Sequence, residues 1–151
     1  MSKFSRGEGF TLIEVLVVIA LGVILATFSL LLGTNFYTSY SFRSDRDILV
    51  SALEKARNRS LANINQAPHG VHIDPAQYVI FEGATYATRD ATKDESIPAS
   101  AAIIRTVSVP QPEFVFLQLD GGVAIPGNIT LATAGHSPAT ITINSEGQID
   151  W

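Results

Sequence analysis

The sequence contains no cysteine, which excludes disulfides, thiol nucleophiles and cysteine-ligated metals. Basic residues also run out early. After Lys93 the only one is Arg105, so that part of the chain offers no cationic stripe for a polyanion. The formal net charge is −4, and the residues beyond Phe42 carry the same −4 from eight basic and twelve acidic side chains. No proline occurs before Pro68, and no charged residue occurs in residues 15–42. The phosphate-cradling GxxxxGK[ST] loop, the dinucleotide GxGxxG turn and the GxSxG elbow are all missing, which removes the commonest signatures of nucleotide and hydrolytic chemistry.

What the chain does have is an apolar run at its start. Residues 10–32 read FTLIEVLVVIALGVILATFSLLL, 23 residues that as a helix would extend roughly 34 Å, against a hydrocarbon core of about 30 Å. Such a segment is long enough to span a membrane. Lys3 and Arg6 precede it, while Arg43, Asp45, Arg46 and Asp47 after it cancel. The bias places the N-terminus in the cytoplasm and the rest outside, as a single pass. A secretory signal peptide fits poorly, because the run exceeds about 7 to 15 residues and no A-x-A-like site follows.

Glu14 is out of place in that run. A carboxylate at mid-bilayer costs about 2.5 to 3.5 kcal/mol, so it either sits close to the interface or has a cationic partner. Cleavage after Gly9 would create one, because the new amine on Phe10, with a pKa near 8, is largely charged at neutral pH. Four residues of helix separate that amine from its own Glu14 by about 6 Å along the axis, so the amine of a neighbouring copy is the better match.

The short basic leader MSKFSRGEG, its terminal Gly9, then FTLIE and a spanning apolar helix resemble the prepilin signal of type IV pilins and type II secretion pseudopilins. The resemblance implies an aspartyl prepilin peptidase that cuts between Gly9 and Phe10 and N-methylates Phe10. It also implies Glu14 as the assembly residue, other pilin subunits and an inner-membrane assembly platform as partners, and membrane lipid before assembly. Glu8 departs from the family, where a basic residue is common before the cut. A second resemblance, to the H-type minor pseudopilins and related minor pilins, rests on ARNRSLA at residues 56–62, GVHI, YVIF and the closing TITINSEGQIDW.

Beyond the run, Leu49, Leu53 and Ala56 recur at helical spacing with Ile48, Ala52 and Ser60 on their flanks, one apolar stripe. Arg43 with Asp47 and Glu54 with Arg57 are spaced to pair on the opposite face, and Lys55, Arg57 and Arg59 form a small basic cluster on a solvated surface. These features predict one helix over residues 10–63, with Gly22 and Gly33 as ordinary glycines of a transmembrane helix; the partial unwinding that the resemblance implies in filaments would, without a proline, have to centre on Gly22. Asn, Pro and Gly concentrate at residues 63–70 and stop the helix. About seven short strands follow, at 71–73, 77–82, 103–109, 114–119, 128–133, 139–143 and a return to Trp151. Residues 88–100 are expected to form a mobile exposed loop. The predicted fold class is α+β and pilin-like: leader 1–9, transmembrane and filament-core helix 10–32, amphipathic continuation 33–63, and an antiparallel β domain 64–151 laid as one sheet on the helix stripe.

No constellation of residues points to catalysis, a metal or a cofactor. His69 and His72 are three apart, but on a strand they face opposite ways. Asp90, Asp94 and Glu95 lack the spacing and glycine of a calcium loop, and His136 sits in a turn. Asn58-Arg59-Ser60 and Asn128-Ile129-Thr130 fit the short glycosylation pattern. With no site for catalysis, the resemblance implies a non-enzymatic structural subunit of a type IV pilus or type II secretion pseudopilus, first in the inner membrane and later in a periplasmic or extracellular filament. A DNA-binding minor pilin used in DNA uptake is the alternative.

Overall fold

The computed structural model describes the chain from Phe10 to Trp151, with the side chains of residues 28–36 excepted. Gly9 and the leader lie outside the described residues. The described backbone divides into two compact units, the first ending at Thr38 and the second covering Ser39–Trp151.

Helix α1 covers Leu12–Leu61. Helix formation meets no proline, and the helix is continuous through Gly22. It ends where Asn63 turns left-handed at φ 53°, a conformation asparagine tolerates better than most residues. A 3-10 turn at Ile64–Gln66 then leads out of the helix.

Within the second unit, the strands are β1 (His69–Ile73), β2 (Gln77–Glu82), β3 (Glu95–Pro98), β4 (Ile104–Val107), β5 (Glu113–Phe116), β6 (Gly127–Ala132), β7 (Ala139–Ile143) and β8 (Ile149–Asp150). They form two antiparallel sheets, not the single sheet expected, in the orders β3-β2-β1-β5 and β4-β6-β7-β8. The named strands divide between these sheets, and an isolated bridge joins Phe116 to Val123.

Leu49, Val50, Leu53 and Ala56 from α1 share one core with Val71, Tyr78, Ile80, Phe114, Phe116, Ile129, Leu131, Ile141 and Ile143. In the second sheet the alternation is clean: Ile141 and Ile143 are buried, while Thr140 and Thr142 are exposed. Strand β2 instead buries both faces. Tyr78 and Ile80 enter the main core, while Phe81 meets Tyr86 edge-on at 5.5 Å. Gly70 is required beneath this arrangement, since a Cβ there would come within 2.6 Å of the Phe81 ring and 2.8 Å of the Phe114 carbonyl oxygen.

Residues 88–100 are not the loop the composition suggested. They contain a 3-10 turn at Ala91–Lys93 and strand β3, which pairs with β2. Tyr86 stacks on His72 with centroids 3.8 Å apart, and the Arg89 guanidinium covers its ring at 3.5 Å. Arg89 also pairs with Asp94 at 2.7 Å. Polar composition misleads here because the segment is tied by ion pairs and ring stacking, with few of the apolar side chains that mark a strand.

Candidate assembly segment and the domain that carries it

At the start of α1, Thr11 is the last residue before the helix and Glu14 the third within it. The Glu14 amide donates to Thr11 Oγ1 at 3.3 Å, while the Thr11 amide and hydroxyl donate to Glu14 Oε2 at 3.5 and 3.4 Å. This reciprocal arrangement is a capping box, which satisfies amides that the first helical turn leaves without partners. Glu14 thus has a role within its own chain that the charge argument missed, although T-x-x-E before an apolar run announces it. An ionised carboxylate accepts about four hydrogen bonds, so among the described residues Oε1 remains open to a further donor.

Phe10 is 83% exposed, and the apolar side chains that follow are open on every side. Val15, Leu16, Val17, Val18 and Ile19 are each at least 47% exposed, and five successive residues at 100° per step circle the helix. A helix that is apolar all round belongs in lipid or among other helices. Covering each such side chain is worth about 1.5 to 3 kcal/mol relative to leaving it in water. Among the described residues, no helix is long and apolar enough to cross a membrane; the described side chains of this stretch end at Thr27, and those of residues 28–36 lie outside them.

The basic residues of the domain are largely committed. Arg46 bonds Asp47 at 2.7 Å, displacing the expected Arg43 to Asp47 pair. Arg57 donates to the carbonyls of Gly121 and Glu146, both at 3.3 Å, and not to Glu54. Lys55 and Arg59 reach across to Glu95 at 2.5 and 2.6 Å, so the cluster expected to be solvated holds β3 against the helix. The hydrogen bond from Lys55 holds the Glu95 carboxyl below its ordinary 4.5 against opposing burial, and Arg59 adds to the effect. Lys93 does the same for Glu82.

A charged network, unannounced by any local pattern, lies in the interior. Arg105 on β4 bonds both oxygens of Asp45 on α1 at 2.7 Å, and both side chains are at most 3% exposed. Arg105 Nε donates to the Tyr78 hydroxyl at 2.5 Å, and that hydroxyl donates to Asp45 at 2.7 Å. The remaining guanidinium donors are taken by the carbonyls of Pro75, Ser100 and Ile103, each at 3.0 Å, and the Ser100 amide donates to Asp45. Every charge therefore has partners, the condition under which a buried ion pair is tolerated. Burial, with the adjoining Asp45, pushes the Tyr78 phenol far above its ordinary value. Helix, first sheet and second sheet meet at this one point.

A second polar junction closes the far end of α1. Ser60 is fully buried; its hydroxyl donates to the Phe116 carbonyl at 3.0 Å and accepts from the His69 amide at 2.8 Å. This placement seats the serine of Asn58-Arg59-Ser60 in the interior. Burial holds the His69 imidazole below its ordinary 6.5, with Glu82 opposing.

His69 and His72 both lie on β1; the first is within 3.8 Å of Glu82, the second between Asp74 at 3.4 Å and Glu113 at 3.8 Å. Asp90 caps its 3-10 turn through Thr92, and His136 lies 3.4 Å from Ser39 and stacks on Phe42. Among the described residues, no three His, Cys, Asp or Glu side chains are placed to hold a metal ion.

Comparison with known proteins adds one match. The family model of the prokaryotic N-terminal methylation motif matches residues 5–30. No curated protein and no solved structure matches the chain. The match covers Gly9, Phe10, the Thr11 to Glu14 cap and most of the exposed apolar helix, and it marks residues 5–30 as a type IV pilin-like prepilin signal of the kind carried by pilin- and pseudopilin-type subunits.

Proposed function

We propose that this chain is a non-enzymatic structural subunit of a type IV pilus or type II secretion pseudopilus. It waits as a single-pass protein of the inner membrane, with residues 10–32 in lipid and its domain outside. It is cut between Gly9 and Phe10, N-methylated on Phe10, and drawn by the assembly platform into a periplasmic or surface filament. The supporting observation is the exposed apolar surface around the start of α1, which lies within the matched methylation motif. Such a helix needs lipid or sister helices, and in a filament the sister helices replace the lipid through close packing.

Glu14 supplies register in this reading. Its free oxygen takes the Phe10 amine of a neighbouring copy, and a charge in an apolar bundle is tolerated only where that partner lies at the right axial step. Within the class, the segments GVHI, YVIF and TITINSEGQIDW favour an H-type minor pseudopilin or a related minor pilin.

Intact-mass measurement of the chain, made with and without a prepilin peptidase, tests the processing step. The expected product lacks residues 1–9 and carries one added methyl group. An uncut chain in cells that process other prepilins overturns the proposal. Glu14→Leu is expected to insert and be cut normally yet stay out of filaments; filaments of normal composition containing it would refute the register argument.

A further inference from the structure

The domain carries two surface features with complementary chemistry. The first is an open groove of about 600 Å³ beside α1 and β3, lined by Tyr40, Arg43, Ser44, Asp47, Ile48 and Ile97 among others. Tyr40 is 75% exposed. Asp47 is neutralised by Arg46, so Arg43, exposed and with no ion pair among the described residues, leaves the groove with one unbalanced positive charge.

The second is a knob at the other end of the domain's helix. Leu117 and Leu119 point to solvent, 44% and 65% exposed. Leu119 is held at φ 65°, a conformation bulky side chains rarely adopt, by a bond from its amide to the Ser60 carbonyl at 2.9 Å. Gly121 lets this loop close onto the end of the helix, since a Cβ there would strike the Leu61 side chain at 2.8 Å. Asp120 and Glu146 are exposed beside it, on turns joined by the bond from the Val123 amide to the Ser145 carbonyl. Among the described residues the cation beside them is the half-buried Arg57, which donates to the backbone carbonyls of Gly121 and Glu146. The knob is apolar and carries one unbalanced negative charge.

We propose that the knob of Leu117, Leu119, Asp120 and Glu146 docks into the Tyr40, Arg43 and Ile48 groove of a second copy of this chain. The leucines cover Tyr40 and Ile48, and the acids meet Arg43. Ser44 and Ser60 are sixteen residues apart on α1, roughly 24 Å at 1.5 Å per residue, so a knob cannot reach its own groove. Parallel copies in this contact are staggered by about that distance. Because the two patches differ, the contact is heterologous and propagates as an open chain. It rests on the filament reading only for the parallel direction of the copies.

Engineered disulfides in the full-length chain test it, and the cysteine-free background makes any bond unambiguous. Chains bearing Ser44→Cys are co-expressed with chains bearing Leu119→Cys and oxidised; Leu117→Cys replaces the second if Leu119→Cys fails to fold. Expected is a mixed dimer, with monomer from either variant alone and a ladder of oligomers when one chain carries both. Arg43→Glu on the groove chain is expected to lower the mixed dimer about two- to fivefold, the range of an exposed pair, and Asp120→Lys on the knob chain to restore it. No mixed dimer, dimers from a single variant alone, or failure of that rescue overturns the proposal. Val18→Cys, reporting on helix packing, separates the two ideas: a bond there without one between 44 and 119 leaves the filament reading standing and removes this interface, and no bond at either removes both.

Discussion

Replacing Asp45 with alanine removes the one carboxylate that, among the described residues, pairs with Arg105 and leaves the guanidinium almost wholly enclosed. Its bonds to Tyr78 and three carbonyls persist, but none of them supplies a negative charge. Breaking one side of such a pair costs about 3 to 5 kcal/mol. For a domain of this size about 4 °C of melting temperature corresponds to each kcal/mol, so the midpoint should fall by roughly 12 to 20 °C. Removing both charges in Asp45→Leu with Arg105→Met should behave differently, because packed apolar side chains replace buried ion pairs at little cost or with a gain of about 1 to 4 kcal/mol. The Tyr78 hydroxyl then keeps no charged partner, which holds the double variant near the wild type. Near-UV circular dichroism of the detergent-solubilised full chain reports on the domain through Tyr78. A single variant that melts within about 4 °C of wild type, the equivalent of about 1 kcal/mol, would refute the reasoning. So would a double variant that loses as much as the single.

Glu14→Gln separates the two roles of that side chain. Glutamine keeps the capping box but offers no charge to a neighbouring amine, so it should stay helical and inserted while failing to enter filaments; normal incorporation would leave the cap as the only function. Ser60→Ala strands the His69 amide and the Phe116 carbonyl in the interior, each worth about 1 to 3 kcal/mol, and should lower the denaturant midpoint without changing the slope. Acid should weaken the domain in two stages. His69 has a depressed folded value, so the unfolded chain binds its proton first; the stability is complete above about 6.5 and is lost as pH falls below it. Glu82 and Glu95 are also depressed, so their contribution is present above 4.5 and is lost as pH falls further. Denaturation midpoints between pH 7.5 and 3.5 (roughly the range these shifts span) would show this, and His69→Gln should remove the first stage alone.

The parts of the fold that repeat locally could be read from the sequence. Leu49, Leu53 and Ala56 recur at helical spacing and are buried, and Ile141 and Ile143 alternate with Thr140 and Thr142 as a half-buried strand must. What escaped depends on residues far apart in the chain. Asp45 and Arg105 are sixty positions apart, and nothing in the neighbourhood of either announces the other; counted by composition, they are two surface charges. The division into two sheets is likewise a matter of pairing, which strand propensity leaves open. Strand β3 was missed because its apolar content is one isoleucine between polar residues and Pro98, and its place comes from Glu95 binding Lys55 and Arg59. At the start of α1 the signal is local: T-x-x-E before an apolar run marks a cap, and the same Glu14 carboxylate also stands out as a charge in that run.

The interior position of Asp45 also fixes where this protein can be cut and rejoined. A hybrid that takes its first residues from another protein and switches to this sequence before Phe42 keeps both Phe42 and Asp45 of the interior. One spliced a few residues later, after Ile48, leaves Arg105 enclosed with no anion to meet it. The natural seam therefore lies upstream of Phe42, close to where the second unit begins at Ser39, and the first helical turns of the domain travel with its strands as one heritable piece.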